Sequence, residues 1–460
     1  MNRLALCAYY RSPVFAQNAF TSLYGAYLSR RRYGSVFRQQ REHLAVTERY
    51  AAGELQRLQG RLAAEIVTHA ARHVPFYREA LGNRAALPDF GAGTDWLSAL
   101  PMISKDDLRI RPADFIAEGE PTRRTAIYTS GTTGTPLRVE ASRDAVQMNY
   151  AFFARFLTWA GVTLKQPSAT FAGRPILPPG QERPPFWRVN AWMNNVLFSS
   201  YHLSDRTMPA YIGRLERLNP RFIDSYPSAI YVIARFILDH DVRHSIRPRA
   251  IVTSSETLMD FQRDAIEQAF GCRVFDQYGS AEMVAFVAQC ERGRYHVNPE
   301  YGIVETVGSD GRPVGFDAPG EMVCTGFLNY AMPLLRYRTG DTAILSSETC
   351  DCGRHFPVVK QIVGRTDDCI VTRDGRRIGR LDPIFKGAGA IREAQIVQDD
   401  LDALTLRIVR GVGFQPSVAD GVVLELKRRV GPSMHVTVEF LDQIPRTRSG
   451  KFRAVVSQLN

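Results

Sequence analysis

Residues 128–137 read YTSGTTGTPL, a decapeptide in which Thr129, Ser130, Thr132, Thr133 and Thr135 surround Gly131 and Gly134 before a proline and a leucine close the run. Glycine lets a backbone turn tightly and bring its N–H groups close to an anion, and the hydroxyls add donors that can follow a polyphosphate. The stretch reads as a phosphate cradle. It lacks the Gly-Lys-Ser/Thr ending of a Walker-type loop, because Thr135 and Pro136 follow Gly134. Taken without its surroundings, the same composition also fits an ordinary turn.

Downstream of this loop, short β-branched runs alternate with amphipathic segments: RFIDSY, AIYVIARFILDH, RAIVTSS, DFQRDAIEQAFG and RVFDQYG. That alternation predicts parallel strands with crossover helices, with ligands gathered at the carboxyl ends of the strands. Upstream, residues 44–82 carry apolar residues at helical spacing with almost no glycine, which predicts one long helix or two ending before Pro75. Residues 283–345 read as mostly β with turns such as SDGRPVG. A composition break at GRTDDCIVTRDGRR, residues 364–377, precedes a last segment of about ninety residues that reads as a compact α+β unit.

With 460 residues, 45% hydrophobic and 23% charged, the chain fits a globular protein of roughly two to four domains. No run of eighteen apolar residues occurs, so no membrane span is expected, and MNRLALCAYYRSPVF is too short in apolar residues to read as a secretory signal. Seven scattered cysteines argue for a reducing compartment, and a cytoplasmic enzyme is the expectation. The net charge of +11 is uneven: Arg3, Arg11, Arg30, Arg31, Arg32, Arg38 and Arg41 stand against Glu42 alone in residues 1–45. Such a patch suits an acidic carrier protein, a membrane surface or a polyanionic cofactor, and equally a solvated basic face. No zinc-finger, helix-turn-helix or RNA-binding pattern is present, so no nucleic-acid partner is expected.

Four further segments decide the reading of the loop. FDQYGSAEM puts Glu282 on a turn after a strand, RYRTGDTA puts Asp341 behind a glycine, GRTDD follows, and PRTRSGKFR brings Lys451 near the end of the chain. In this order the motifs resemble those of the adenylate-forming superfamily of acyl-CoA synthetases and peptide-synthetase adenylation domains. LPMISKDDLR and SYPSAIYVIARF look like its phenylacetate–CoA ligase-like branch, which includes capsule-biosynthesis adenylating proteins. The resemblance runs over nearly the whole chain. Singly, Glu282 also reads as a helix-start acid, Asp341 as a turn aspartate, Arg365 as a surface cation and Lys451 as a tail lysine.

The resemblance implies ATP- and Mg²⁺-dependent activation of a carboxylic acid, aromatic or small and hydrophobic, to acyl-AMP with release of pyrophosphate. Acyl transfer to a thiol, coenzyme A or the phosphopantetheine of an acyl carrier protein, would follow. The alternatives are an amine or hydroxyl acceptor in surface-polymer or natural-product biosynthesis, and a non-catalytic binding protein of the same fold. It assigns Ser130, Gly131, Thr132, Thr133 and Gly134 to the β- and γ-phosphates, Glu282 to magnesium and Asp341 to the ribose hydroxyls. Ser254, Ser255 and Glu256, with the Asp276–Tyr278 segment, would frame adenine, and Gly279 and Ser280 would also bind the nucleotide. Arg365 would lie near ribose and phosphate, and Lys451 would bridge the carboxylate and the α-phosphate. These choices suit the chemistry, since a hard cation prefers carboxylate oxygen and charge builds on the phosphoryl oxygens as pyrophosphate leaves. Relatives usually carry lysine after the loop's proline, whereas here Leu137 and then Arg138 follow Pro136.

For the fold, the resemblance implies a large N-terminal domain (1–363) of stacked α/β sheets. It would comprise a largely helical preamble (1–120), an α/β nucleotide-binding core (121–282) and a β-rich subdomain (283–363). A hinge (364–368, pivoting at Asp367) and a small mobile α+β domain (369–460) would follow. Its basic CIVTRDGRRIG, with Arg373, Arg376 and Arg377, suits a thiol tunnel, or a plain hairpin turning at RDGR. Tyr226, Ser228, Ile230 and Tyr231, with the stretch 198–202, are expected pocket walls; His202 reads as structural. Finally, CERGRYH and CDCGR offer Cys290, His296, Cys350 and Cys352 as a closed tetrahedral zinc set, with His355 as a rival fourth ligand. Cys7, Cys272, Cys324 and Cys369 read as buried or half-buried thiols.

Overall fold

The computed structural model describes residues 3–82, 95–119, 124–129, 137–178, 180–365, 370–373, 377–378, 384, 390–447 and 449–459. Two compact units divide the chain: Met1–Gly25 with Lys165–Val274 and Val363–Asn460, and Ala26–Leu164 with Phe275–Ile362.

In the first unit the alternating runs form a parallel sheet, in the order Ala250–Ser254, Phe222–Ser225, Ser168–Ala172 and Asn195–Ser199. Trp187–Asn190 pairs antiparallel with the last of these. Ile223, Ile251 and Ala169 are fully buried, as expected of strands covered on both faces. Helices Met208–Leu218, Pro227–Asp239 and Asp260–Phe270 alternate with these strands. The Pro227–Asp239 helix buries most of its circumference, which marks a helix enclosed by its neighbours rather than one facing water.

The end of the chain, also in this unit, is α+β as the sequence predicts. Ile391–Asp400 and Ala403–Arg410 pair antiparallel, His435–Leu441 and Val455–Ser457 add in parallel, and helix Pro416–Val430 packs on them through Ala419, Val422 and Leu426. Ile370–Val371 pairs antiparallel with Arg377–Ile378.

The second unit is helical early and β later. Helices Ser35–Thr47, Ala52–His73 and Pro75–Leu81 realise the periodicity read over 44–82, but with a break at 48–51 as well as at Pro75. Pro75 both ends one helix and opens the next, where its missing N–H costs nothing. Antiparallel pairings join Gly302–Val307 to Pro319–Gly326 and the latter to Tyr337–Ser346, and a further set joins Val358–Arg365, Tyr295–Val297, Phe286–Gln289 and Arg273–Gly279.

A buried ion pair ties helix Arg143–Trp159 to this β-rich part. Arg155 Nη1 and Nη2 donate to the two oxygens of Glu300 at 2.8 and 2.9 Å, and Thr47 Oγ1 donates to Glu300 Oε1 at 2.6 Å. Burial alone would push the Glu300 carboxyl up, but the charge and hydrogen bonds of Arg155, with Thr47, carry it below its ordinary value. Removing one partner of such a pair leaves an uncompensated buried charge. Arg155→Leu is therefore expected to cost about 3–5 kcal/mol in chemical denaturation. Arg78→Ala, which breaks the exposed pair with Glu118, is expected to cost less than about 1 kcal/mol. Equal losses would contradict this distinction.

Candidate active site

In the first unit, the carboxyl ends of three parallel strands lead into Gly173, Tyr226 and Ser255–Glu256. The Lys451 loop sits on them. Glu256 spans two elements: Oε2 accepts from the Ser228 N–H at 3.0 Å, in the first turn of helix Pro227–Asp239, and Oε1 accepts from the Phe452 N–H at 2.6 Å. A carboxylate there also meets the positive end of the helix dipole. Burial raises the Glu256 carboxyl, and the Phe452 and Ser228 N–H groups pull it back. The Tyr226 hydroxyl donates to the Ser449 carbonyl at 3.3 Å.

The loop itself is a tight turn. Thr447 N–H donates to Lys451 O at 2.9 Å, Lys451 N–H to Thr447 Oγ1 at 3.0 Å, and Gly450 N–H to Thr447 O at 2.8 Å. Gly450 has φ +76°, a conformation that glycine adopts without a Cβ penalty. On the strand side, a Cβ at Gly173 would stand 1.6 Å from the Ser449 carbonyl oxygen, so only glycine permits this approach. Ser255 carries φ +73°, a backbone conformation that costs a non-glycine residue about 1–3 kcal/mol and is common at functional sites. Arg365 follows Gly364, whose φ is +111°.

Ser228 and Tyr231 line a cleft of about 300 Å³ with Met259, Phe261, Ile391 and Phe452. Tyr226 is not among its lining residues. Phe198 lies in the core, its ring 4.7 Å from that of Phe171. His202 is tied to Ser199 Oγ at 2.7 Å and Pro178 O at 3.2 Å, a structural role.

In the second unit each of three motif acids is held by a tyrosine. Tyr278 donates to Asp341 Oδ2 at 2.7 Å, Tyr295 to Asp276 Oδ2 at 2.7 Å, and Tyr337 to Glu282 Oε1 at 2.9 Å. Burial, reinforced by the adjacent carboxylate, raises Tyr278 and Tyr337 far above the ordinary phenol, so both remain hydroxyl donors. The buried Ser280 hydroxyl has no partner among the described residues. Gly279 ends the strand beside it. Sequence reasoning missed Tyr295 and Tyr337, although both lie inside motifs it had singled out. Arg138, which follows the glycine loop in sequence, donates through Nε to Glu140 Oε1 at 2.8 Å. The loop's Ser130, Gly131, Thr132, Thr133 and Gly134, and Asp367, lie outside the described residues.

The same unit gathers Cys290, His296, Cys350 and Cys352, whose ligand atoms all lie within 4.8 Å of one another; His355 is not in this group. Cys290 Sγ and Cys350 Sγ are 3.7 Å apart, and Cys352 Sγ and His296 Nε2 are 3.5 Å apart. Zinc bonds of about 2.3 Å to sulfur and about 2.0–2.1 Å to nitrogen, at tetrahedral angles, require about 3.8 and 3.5 Å. His296 Nδ1 lies 3.2 Å from the Phe356 carbonyl. Donation of the Nδ1 proton there leaves the Nε2 lone pair toward the sulfurs, the arrangement of a metal-ligating histidine. Burial lowers His296 to about 4, so the ring is neutral. Elsewhere, Cys7 is exposed rather than buried, since it sits on the outer side of the first helix; Cys272 and Cys324 are half-buried and buried. Cys369 lies outside the described residues.

Among curated proteins, the chain is 25% identical over 462 residues to the phenylacetate-coenzyme A ligase of Thermus thermophilus, covering 88% of this chain and 96% of that one. In fold it matches 2-hydroxyisobutyryl-CoA ligase in the postadenylation state, with a TM-score of 0.70, 20% identity, and coverage of 90% and 91% of the two chains. The chain thus shares the fold of an acyl-CoA ligase and is similar along most of its length to a phenylacetate–CoA ligase. It is also 28% identical over 456 residues to Protein CapK of Staphylococcus aureus, covering 98% and 99% of the two chains. Residues 370–458 match the family described as the CapK C-terminal domain.

One acid near the carboxyl end of the inner strand Phe222–Ser225 escaped the sequence reading. Burial raises Asp224 to about 6, against the opposing pull of Arg174. Because the folded carboxyl holds its proton where the unfolded one has lost it, this group's contribution falls as pH rises from about 4 to about 6. The cost reaches at most about 3 kcal/mol, an upper bound for a half-buried residue. Asp224→Asn is expected to gain stability over the parent above pH 6 and none at pH 4, measured by urea denaturation. The same difference at both pH values would contradict the assignment.

Proposed function

We propose that this protein activates a carboxylic acid with ATP and Mg²⁺, forming acyl-AMP and pyrophosphate, and passes the acyl group to a thiol of coenzyme A or of an acyl carrier protein. The observation that carries this reading is the seat of the Lys451 turn, held by Glu256 at the carboxyl ends of the parallel strands. A lysine there supplies positive charge where the reaction builds negative charge on the α-phosphate. Asp341, fixed by Tyr278, accepts the ribose hydroxyls; Glu282, fixed by Tyr337, offers oxygen to magnesium. Ser280 supplies a further donor, and Ser254, Ser255, Asp276 and Gly279 border the nucleotide. The Ser130–Gly134 loop takes the β- and γ-phosphates, and Arg365 the ribose side. The cleft at Tyr231, where Met259, Phe261, Ile391 and Phe452 stand beside Arg235 and Arg392, suits an aromatic or small hydrophobic acid.

In this reading residues 364–368 act as the hinge of the C-terminal domain, with Asp367 at the pivot, since a few residues at a domain boundary absorb such rotations. Pyrophosphate release is to be measured over a panel of carboxylic acids, with and without coenzyme A. Acid-dependent release with thioester formation is the expected result. Release without thioester would move the acceptor to a carrier thiol, amine or hydroxyl, and no release with any acid would overturn the enzymatic reading.

Cys290, His296, Cys350 and Cys352 would hold a structural zinc ion, with four protein ligands leaving no position open for substrate. Protein purified without chelator is expected to contain one zinc per chain. Cys350→Ser is expected to lose it and to melt at a lower temperature, because binding in the folded state appears as stability, about 2.7 kcal/mol at free zinc a hundredfold above Kd. Zinc-free protein with an unchanged melt for the variant would leave these residues as reduced thiols and an imidazole.

A further inference from the structure

The helix Val14–Arg32 is built inside out. Gln17, Thr21, Gly25 and Ser29, spaced every four residues, are its buried positions. Its buried positions make polar contacts within the first unit, and Phe20 at the edge of the other face packs on Tyr9, ring centroids 5.4 Å apart. Gln17 Oε1 accepts from Arg188 Nε, Asn18 Oδ1 accepts from the Val189 N–H at 2.9 Å, and Ser22 Oγ accepts from the Ala191 N–H at 3.0 Å. Gly25 comes so near Asn190 that a Cβ would stand 2.4 Å from its Oδ1. On the opposite half of the helix lie Phe15, Phe20, Leu23, Tyr24 and Tyr27, all exposed, Phe15 by 76% and Leu23 by 73%. At 3.6 residues per turn these five fall within one half of the circumference.

A helix on the surface of a globular protein normally turns its apolar stripe to the core and its polar side to water. Here the order is reversed. An exposed apolar face of this breadth marks an interaction surface, and its charge selects the partner. Residues 1–41 contain seven arginines and no acid. Arg11 precedes the helix and Arg30 lies in its last turn, both exposed. A second copy of the chain would bring like charges together, whereas an anionic bilayer answers both features at once. Phenylalanine and leucine enter the acyl boundary, tyrosines sit at the headgroup level and arginines meet lipid phosphate. No described helix is long and apolar enough to cross a membrane, so the contact is a surface one.

We propose that the outward face of helix Val14–Arg32 seats the protein on an anionic lipid bilayer. The full chain is to be floated with phosphatidylcholine vesicles, alone and with about 30% phosphatidylglycerol. Binding is expected to favour the anionic vesicles by about fivefold per engaged arginine, hence about 25-fold for Arg11 and Arg30 together, and to weaken at high salt. Phe15→Glu with Leu23→Glu is expected to abolish binding with an unchanged thermal melt. Arg11→Glu with Arg30→Glu keeps the apolar face and is expected to erase the anionic preference alone. Indifference to lipid charge, or binding that survives the Phe15/Leu23 double variant, would overturn the proposal. So would absence of binding in a chain that sediments as a dimer which that variant dissolves.

Discussion

A single carboxylate, that of Glu256, accepts one backbone N–H from the start of the Pro227–Asp239 helix and another from Phe452, next to Lys451. A carboxylate taken from water needs such partners, because desolvation without them costs several kcal/mol. The requirement works in both directions. In this conformation the chain segment that carries Lys451 sits at the strand ends, where Phe452 supplies one of the acid's two backbone donors. The backbone around it is shaped to match: glycine at 173 admits the Ser449 carbonyl, and glycine at 450 admits the turn.

The second unit applies the same rule to other acids. Asp276, Glu282 and Asp341 each take a tyrosine hydroxyl, and Glu300 takes Arg155 and Thr47. A hydroxyl donor holds a carboxylate in place without cancelling its charge, which keeps it able to meet a cation or a sugar hydroxyl. A guanidinium cancels the charge outright.

Much of this was legible from residue order alone. Period and composition foretold the parallel strands, the helices and the α+β end, because burying apolar side chains is what those periodicities encode. The cysteines and histidine that the structure gathers stood out as CERGRYH and CDCGR. Contacts between distant side chains were not legible: nothing in FDQYGSAEM says that Tyr278 meets Asp341, sixty-three residues on, or that Glu256 meets Phe452. The Val14–Arg32 helix escaped for a different reason. Pattern reading assumes that the apolar side faces inward, and here the buried side is glutamine, threonine, glycine and serine.

The proposed reaction requires Lys451 at the α-phosphate and not at the later acyl transfer. Its direct test compares the two half-reactions in Lys451→Ala, using an acid that the protein activates and that acid supplied as its acyl-adenylate. Adenylate formation is predicted to fall by about two to three orders of magnitude, as for one lost electrostatic partner in a transition state, while thioester formation from the supplied adenylate is largely spared. Equal loss in both half-reactions, or none in the first, would contradict the placement of Lys451 at the centre of the chemistry.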